Sequence, residues 1–426
     1  MVLCLFEDNR VAPLRPLVST RAAYALRLGM RSLLETTRDA FTPDALHLHA
    51  RRTMAAQTAH EYGRRVNEAP PAENVLFVNG RYVAAPGPVL SRLQRAADTG
   101  EPSRAFVQDG AVVAAWLREV PAPLREAVAT GDALTAAHFE GVPTEAVDDA
   151  TLVGRLWHLL DALHPALRRD FEARVTDLPA HSIHERAAAV HPSAIGLHDA
   201  YIYLAPTATV RPGAILDAEP GPIYIDKQAT VMEQAVIRGP AYIGPKAQVK
   251  RGADLSGVAI GFWSKVGGEV HDSVIHSLSN KSHAGFLGHA YLGRWCNLGA
   301  DTNNSNLKND YGPVSLYNVA TGQYESTERQ FVGLFMGDHA KTGINVMLNT
   351  GTVIGTFCNI YGAGLPPRYL PSFSWGSAEG GFTTYRLDKA LRVAEAVMAR
   401  RNRALSDAER ALLTHVFEKT QPERDF

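Results

Sequence analysis

Polar side chains crowd one span of the chain in an order suited to moving a proton on a bound polar ligand. They read Glu269-Val270-His271, Asn280-Lys281-Ser282-His283, Trp295-Cys296-Asn297 and Asn303-Asn304-Ser305-Asn306. Imidazole is the side chain whose ordinary titration lies nearest neutrality, which makes His283 the candidate general base. An asparagine amide both donates and accepts, so Asn297 and Asn306 can orient a polar group. Glu269 can orient a histidine or hold an amine, and Lys281 can meet a phosphate. Each also has a structural use: a polar loop for His283, an asparagine ladder at turn corners for Asn297 and Asn306, a solvated ammonium for Lys281. His289 and His339 are expected to be structural.

Such groups need a rigid frame, and the flanking sequence supplies one. From Ile225 to Ala259 an aliphatic residue recurs every sixth position: Ile225, Val231, Ile237, Ile243, Val249, Leu255. Alanines follow at Ala229, Ala235, Ala241, Ala247, Ala253 and Ala259. The rhythm returns from Met336 to Gly364 through Thr342, Leu348, Ile354 and Ile360. A period of six fits neither a helix nor one long strand. It fits a parallel β-helix of hexapeptide repeats, three to a coil, with both marked positions pointing inward. The hexads are expected to begin near Ala187, with Pro220-Gly221-Pro222 breaking the count before the regular run. The polar span lies where the rhythm falters. Beyond it, Tyr311-Gly312-Pro313 and Thr321-Gly322 mark a projecting loop between Asn309 and Gln330.

The first 185 residues lack the rhythm. Val2–Phe6 and Val75–Val78 read as buried strands, the second ending at Asn79-Gly80. A helix is expected from Arg21 to about Thr37, and others at Leu90–Ala97 and over the amphipathic stretch Leu152–Val175. A strand at Arg104–Val107 turns at Asp109-Gly110 into Ala111–Leu117. Strands alternating with helices imply an α/β domain with a mainly parallel sheet. After Tyr385 the pattern is helical, with a capped start at Ser406. These helices are expected to close the end of the solenoid, and the basic run Arg400-Arg401-Asn402-Arg403 to lie in solvent or else to help bind the phosphate of a co-substrate. The division is therefore 1–185, 186–375 and 376–426.

With 43 Lys and Arg against 44 Asp and Glu, the charge gives no support for general nucleic-acid binding. Cys4, Cys296 and Cys358 are too widely spaced for a disulfide framework or a zinc knuckle and suit a reducing cytosol. No apolar run approaches the roughly 20 residues needed to span a bilayer, and the N-terminus does not read as a signal peptide. A cytoplasmic protein is expected, without membrane or nucleic-acid partners and without a structural metal.

The span from 225 to 365 resembles the acetyltransferase domain of the bifunctional N-acetylglucosamine-1-phosphate uridyltransferase / glucosamine-1-phosphate acetyltransferase family. That family carries Lys-x-x-His-Leu-x-Tyr-Leu-Gly, then Asn-Ile-Gly-Ala-Gly, then Asn-Tyr-Asp-Gly. The resemblance extends to a sugar nucleotidyltransferase subgroup through Ser305–Tyr311 and Gly337–Asn345. It implies a left-handed β-helix, acetyl-CoA as co-substrate, an amino-sugar phosphate or nucleotide sugar as acceptor, and a homotrimer. By position it makes His283 the base, and Glu269, His271, Lys281, Phe286, Asn297 and Asn306 the substrate contacts. Phe286 stands where the family has Tyr, His271 where it has Lys, and Ile344 where it has Ser.

The N-terminal portion resembles a nucleotide-sugar pyrophosphorylase domain whose phosphate loop has lost its glycines. Leu14-Arg15-Pro16-Leu17 and Thr20-Arg21 match the end of that loop, and Asn79 takes the place of its metal-binding Asp. Arg15, Arg21 and Asn79 are the implied nucleotide contacts, with Mg²⁺ needed only if this domain is active; Arg27 and Arg31 could also grip phosphate or lie on a solvated helix face. The functions in competition are acyl transfer to an amino sugar, sugar-1-phosphate nucleotidyl transfer, and a non-catalytic trimeric binding scaffold.

Overall fold

The computed structural model describes residues 1–175, 182–185 and 188–426. The expected start of the hexads at Ala187 and the first residue of the expected second domain, 186, lie outside the described residues.

Val2–Phe6 is an uninterrupted apolar run, and Leu3 to Phe6 are all at most 1% exposed, as a central strand covered on both faces requires. It sits second in a six-stranded sheet ordered Ala45–Leu48, Val2–Phe6, Glu73–Asn79, Ala111–Glu119, Arg104–Gln108, Thr144–Ala146. Pairings on either side of Ala111–Glu119 are antiparallel and the rest parallel. The Asp109-Gly110 turn forms as expected, both residues having positive φ. Pro88–Thr99 is helical, while Leu152–Val175 divides into His158–Asp161 and Leu163–Arg174.

The helix expected over 21–37 is not there. Ala23–Ala25 is a short 3₁₀ turn, and Arg27–Leu28 pairs with Arg31–Ser32 in a tight hairpin. Gly29 turns it at φ +75, and a Cβ there would meet Asp170 Oδ2 at 2.8 Å. Asp170 also accepts from the Met30 amide at 2.9 Å and from Arg31 at 2.6 Å. Helix begins only at Leu33, where Ser32 and Glu35 form a reciprocal capping box. The apolar residues Leu26, Met30, Leu33 and Leu34 are buried as the periodicity required, but through tertiary contacts.

The solenoid has three faces of short parallel strands. One climbs through Ile202–Leu204, Ile223–Ile225, Val274–Ser277, Tyr291–Arg294 and Leu334–Met336. The second runs through Gln248–Val249, Lys265–Val266 and Asn280–Lys281, then by single bridges to Asn297 and Lys341. The third includes Asp254–Ser256, Glu269–His271 and Phe286–Gly288. Ile225, Val231, Ile237, Ala229 and Ala235 fill its interior with no exposed surface.

The first face is not a free wall. Tyr224, Tyr242, Val274, Tyr291 and Phe335 point outward into one apolar cluster with Leu14, Leu17, Leu26 and Leu28. The Arg27 amide donates to Tyr291 Oη at 3.0 Å, and its Nε donates to the His276 carbonyl at 3.1 Å. The α/β domain and the solenoid thus share a core.

Two further expectations change. The 309–330 segment is a β-hairpin, Ser315–Asn318 with Gln323–Ser326. It folds back on its own chain, Tyr317 stacking on Tyr369 at 4.0 Å and Arg155 meeting Glu325 at 2.8 Å. The terminal helices, Leu387–Ala399 and Asp407–Lys419, do not cap the solenoid end. An antiparallel strand, Gly381–Thr384, pairs with the last strand of the second face. The helices fold back, Leu412, Leu413 and Val416 entering the α/β core and Met398 reaching Leu278 and Trp295. Among the described residues no helix is long and apolar enough to cross a membrane.

Candidate active site

His283 stands exposed where the second face turns into the third. Lys281 holds that turn. Its side chain, expected to meet substrate, is inside the wall, with the residue 2% exposed. Its ammonium donates to the carbonyls of Gly267 at 2.9 Å, His283 at 2.8 Å and Ala284 at 3.2 Å. Burial pushes this amine down to about 8, with Asp301 opposing. The three carbonyls favour the ammonium, which is the species held at neutral pH. Lys281 is a positioning residue for the His283 turn.

His283 borders a cavity of about 310 Å³ between the second face and the end of the Leu387–Ala399 helix. Lys265, Asn280, Asn297 and Lys341 supply the solenoid wall; Arg400 and Arg401 supply the other. These four solenoid residues form one ladder in register. Asn297 is therefore both a rung, accepting from Asn280 Nδ2 at 3.4 Å, and a lining residue. Among the described residues no acidic side chain lines the cavity. Burial pushes Lys265 down, and Arg401, Lys250 and Arg400 push it further. Burial takes Lys341 down to about 8. Arg401, expected in solvent, is half-buried, over the Trp263 ring at 5.5 Å and donating to Asn280 Oδ1 at 3.2 Å. Crowded cations that lower one another's proton affinity make a site for a polyanion.

Glu269, His271, Phe286 and Asn306 gather elsewhere, on the third face. Glu269 and His271 lie two apart on one strand and pair at 3.1 Å. Phe286, in register beside Glu269, lies 6.0 Å from the His271 ring. Gly288 sits beneath Phe286 and Asn306; a Cβ there would meet Phe286 Cζ at 2.5 Å and Asn306 Nδ2 at 2.6 Å. Asn306 Nδ2 lies 3.0 Å from His289 Nδ1, and Asp272 lies between His289 at 3.6 Å and His164 at 2.7 Å. Burial raises Asp272, but His164 and the neighbouring histidines outweigh it and hold the carboxyl low. The expected site residues therefore form two groups, His283 with Asn297 and the third-face group of four.

The sequence reading missed Lys265, Lys341 and Trp295 as cavity walls. The signal was present, because Lys265, Asn280, Asn297 and Lys341 occupy one hexad position on successive coils. Asp272 and His164 had no such signal, since their pairing joins a helix of the α/β domain to a solenoid corner.

In the α/β domain the expected nucleotide contacts, Arg15, Arg21 and Asn79, are each engaged by other residues of the chain. Asn79, fully buried, donates to Asp8 Oδ2 at 2.9 Å and to the Val112 carbonyl at 3.0 Å, and its Oδ1 accepts from the Arg81 amide. Arg81 Nε donates to Asp8 Oδ1 at 2.9 Å. The guanidinium already fills the cation's place, so these residues do not fit Mg²⁺, which needs free oxygen ligands. Arg21 is buried against Asp338 of the solenoid, and Arg15 bonds Glu423 at 2.7 Å. Arg27 and Arg31 are likewise engaged, with His276 and Asp170. None of the four is a solvated helix-face charge.

Residues 3–177 match a family model described as sugar nucleotidyl transferase. The Bifunctional protein GlmU of Methanocaldococcus jannaschii is 34% identical over 104 residues, covering 24% of this chain and 25% of that protein. A bifunctional sugar-1-phosphate nucleotidylyltransferase/acetyltransferase of Sulfurisphaera tokodaii is 38% identical over 93 residues, 22% of this chain and 23% of that protein. The matches thus span about a quarter of the length of these curated relatives. Similar solved structures include the UDP-N-acetylglucosamine acyltransferase from Campylobacter jejuni, at 15% identity and TM-score 0.26, covering 54% of this chain and 96% of that one. Another is the UDP-N-acetylglucosamine O-acyltransferase from Moraxella catarrhalis, at 10% identity and TM-score 0.24, covering 55% and 96%. By sequence the chain is similar to the bifunctional nucleotidyltransferase/acetyltransferase proteins, and its first domain matches the sugar nucleotidyl transferase model.

Proposed function

We propose that the chain transfers an acetyl group from acetyl-CoA to the amine of an amino-sugar phosphate or a nucleotide-linked amino sugar, with His283 as general base. The observation that carries this reading is His283 beside a cavity walled by Lys265, Lys341, Arg400 and Arg401. Coenzyme A is a polyanion, and cations without acidic neighbours suit its phosphates. The neutral amine attacks the thioester carbonyl, and His283 takes one of its N–H protons as the carbon–nitrogen bond forms. The carbon–sulfur bond then breaks, and the imidazolium returns a proton to the departing thiolate. Asn297, fixed as a rung of the ladder, can orient the acceptor.

The third-face group of Glu269, His271, Phe286 and Asn306 fits the acceptor-binding side of a neighbouring copy, as in a homotrimer. Exposed Ile344 at 68%, Met347 at 47% and Tyr361 at 43% lie on the late coils and would be covered there. In this reading residues 186–375 perform the chemistry, 376–426 complete the cationic wall, and 1–185 brace the solenoid. The protein works in the cytoplasm without membrane or nucleic-acid partners.

The family-model match favours a second reading, nucleotidyl transfer by residues 3–177. The mutual pairing of Asp8, Asn79 and Arg81 weighs against it. Two assays over a panel of amino-sugar phosphates and nucleotide sugars separate the readings. Thiol release from acetyl-CoA supports acyl transfer, and pyrophosphate release from nucleoside triphosphate with Mg²⁺ supports the second. Absence of both across the panel refutes both and favours the binding scaffold.

A further inference from the structure

An amine attacks a thioester only as the free base, and the wall beside His283 carries amines of its own. Most lysines of the solenoid are committed elsewhere. Lys281 donates to three carbonyls, and Lys341 donates to the His339 carbonyl at 2.9 Å. Lys308 pairs with Asp310 at 3.1 Å, and Lys246 lies over the Trp263 ring at 4.9 Å. Lys227, in the solenoid, and Lys389, in the terminal helix, are exposed to water.

Lys265 differs from all of these. It lies on the second face in register with Gln248 and Asn280, and its half-buried side chain lines the His283 cavity. Among the described residues none accepts a hydrogen bond from its ammonium or forms an ion pair with it. The charges around it share its sign: Arg400 and Arg401 across the cavity, and Lys250 on the preceding coil. Burial and then these three cations favour the uncharged amine. Lys265 thus holds more free base near neutral pH than an exposed lysine does.

The proposed reaction brings a thioester to His283, and so into this cavity. Lys265 and Asn280 are neighbours across one strand spacing, about 5 Å, and Asn280 leads into the turn that carries His283. That turn rests on the Lys265 strand. A Cβ at Gly267, two residues after Lys265, would meet the Ser282 carbonyl at 2.6 Å. A thioester held there faces two amines, the acceptor's and that of Lys265.

We propose that Lys265 is a self-acetylation site, its Nζ taking the acetyl group from acetyl-CoA bound beside His283 when no sugar acceptor is present. This rests on the acyl-transfer reading of the cavity. The neutral amine attacks the thioester carbonyl, the carbon–nitrogen bond forms and the carbon–sulfur bond breaks. The proton lost by nitrogen passes to the departing thiolate, leaving acetyl-lysine and coenzyme A. The amide is uncharged, so the wall that holds the coenzyme has one cation fewer. The modification therefore limits further acyl transfer.

Full-length protein incubated with acetyl-CoA and no acceptor, then digested for peptide mass spectrometry, tests this. Acetylation of Lys265 is expected to be about tenfold faster or more than that of Lys227 and Lys389. Excess coenzyme A should slow Lys265 alone. Equal rates at the three lysines overturn the proposal. So does a Lys265 rate indifferent to coenzyme A, which would mark a reactive amine that needs no bound coenzyme. Lys265→Gln, which imitates the amide, should weaken coenzyme A about tenfold in isothermal titration, and Lys265→Arg, which keeps the charge, should bind it more tightly than Lys265→Gln does. The Lys265 ammonium has no partner to lose, so both variants should fold as the parent does, which a thermal melt verifies. Parent-like binding by Lys265→Gln overturns the self-limiting effect. Titration of the parent with coenzyme A tells the two failures apart. Binding without modification of Lys265 overturns this proposal and leaves acyl transfer standing, whereas no binding overturns both.

Discussion

Replacing Lys281 by Met separates a positioning role from a substrate contact. Met keeps the length of the stem inside the wall and removes the ammonium that bonds three carbonyls. The ammonium itself is held against burial, from 10.5 down to about 8. At about 1.4 kcal/mol per tenfold change in proton affinity, its removal returns about 3 kcal/mol. A buried carbonyl left without a donor costs about 1–3 kcal/mol. His283 and Ala284 are exposed, so their carbonyls can turn to water, and the Gly267 carbonyl, on a buried residue, bears the main loss. The two sides nearly balance, and the stability change is expected to stay within about 2 kcal/mol. The turn that carries His283, however, loses its clamp. Thiol-release kinetics should show kcat down at least tenfold with KM for acetyl-CoA within threefold, since a misplaced base affects the chemical step alone. If kcat is unchanged and KM for the phosphorylated acceptor rises instead, Lys281 contacts substrate after all and the positioning argument is wrong.

Arg401→Ala should raise KM for acetyl-CoA about tenfold with little change in kcat, and high salt should narrow the gap between variant and parent; a salt-independent KM would remove the electrostatic basis of the cavity. Glu409 gives a stability profile with a defined sign. Its carboxyl is pushed from 4.5 up to about 7, so the folded state keeps a proton that the unfolded chain has lost between those values. Its contribution is full below about 4.5 and lost as pH rises through 7, by about 3 kcal/mol at most. Glu409→Gln should therefore raise the melting temperature at pH 8 and leave it nearly unchanged at pH 4, and an equal gain at both would show the carboxyl is not so perturbed. Asn79→Asp sets a carboxylate against Asp8 and the Val112 carbonyl. It should destabilise the protein by about 3 kcal/mol or more without creating pyrophosphate release, as expected for an uncompensated buried charge, and a gain of that activity would mean the metal site is intact.

The solenoid was legible because its core repeats a local rule. Each coil fills the same interior positions, so Ile225, Val231, Ala229 and their successors announce themselves six apart. The break in the same rhythm marked the span that carries His283 and Asn297, and the ladder reading of Asn297 is met by its bridges to Asn280 and Lys341. The rhythm could not say that Lys281 turns inward, because a lysine in a polar run reads alike whether its ammonium meets solvent or three carbonyls. The Arg21–Thr37 stretch misled for a different reason. Its apolar spacing is real, but Gly29 and Asp170 impose a hairpin that buries the same residues against the solenoid. Arg15, Arg21, Arg27 and Arg31 looked like a phosphate grip or a solvated face because their partners Glu423, Asp338, His276 and Asp170 are more than a hundred residues distant. The solvated reading of the terminal basic run failed alike, since nothing near Arg401 in the sequence indicates Trp263 or Asn280.

The most direct measurement is the rate of thiol release from acetyl-CoA by His283→Ala beside the parent, with the best amino-sugar acceptor of the panel. Loss of a general base predicts kcat lower by roughly 10²–10⁴-fold, with acetyl-CoA binding unchanged because the cationic wall remains. A variant within threefold of the parent would contradict the account, for the proton would then leave the amine by some other group.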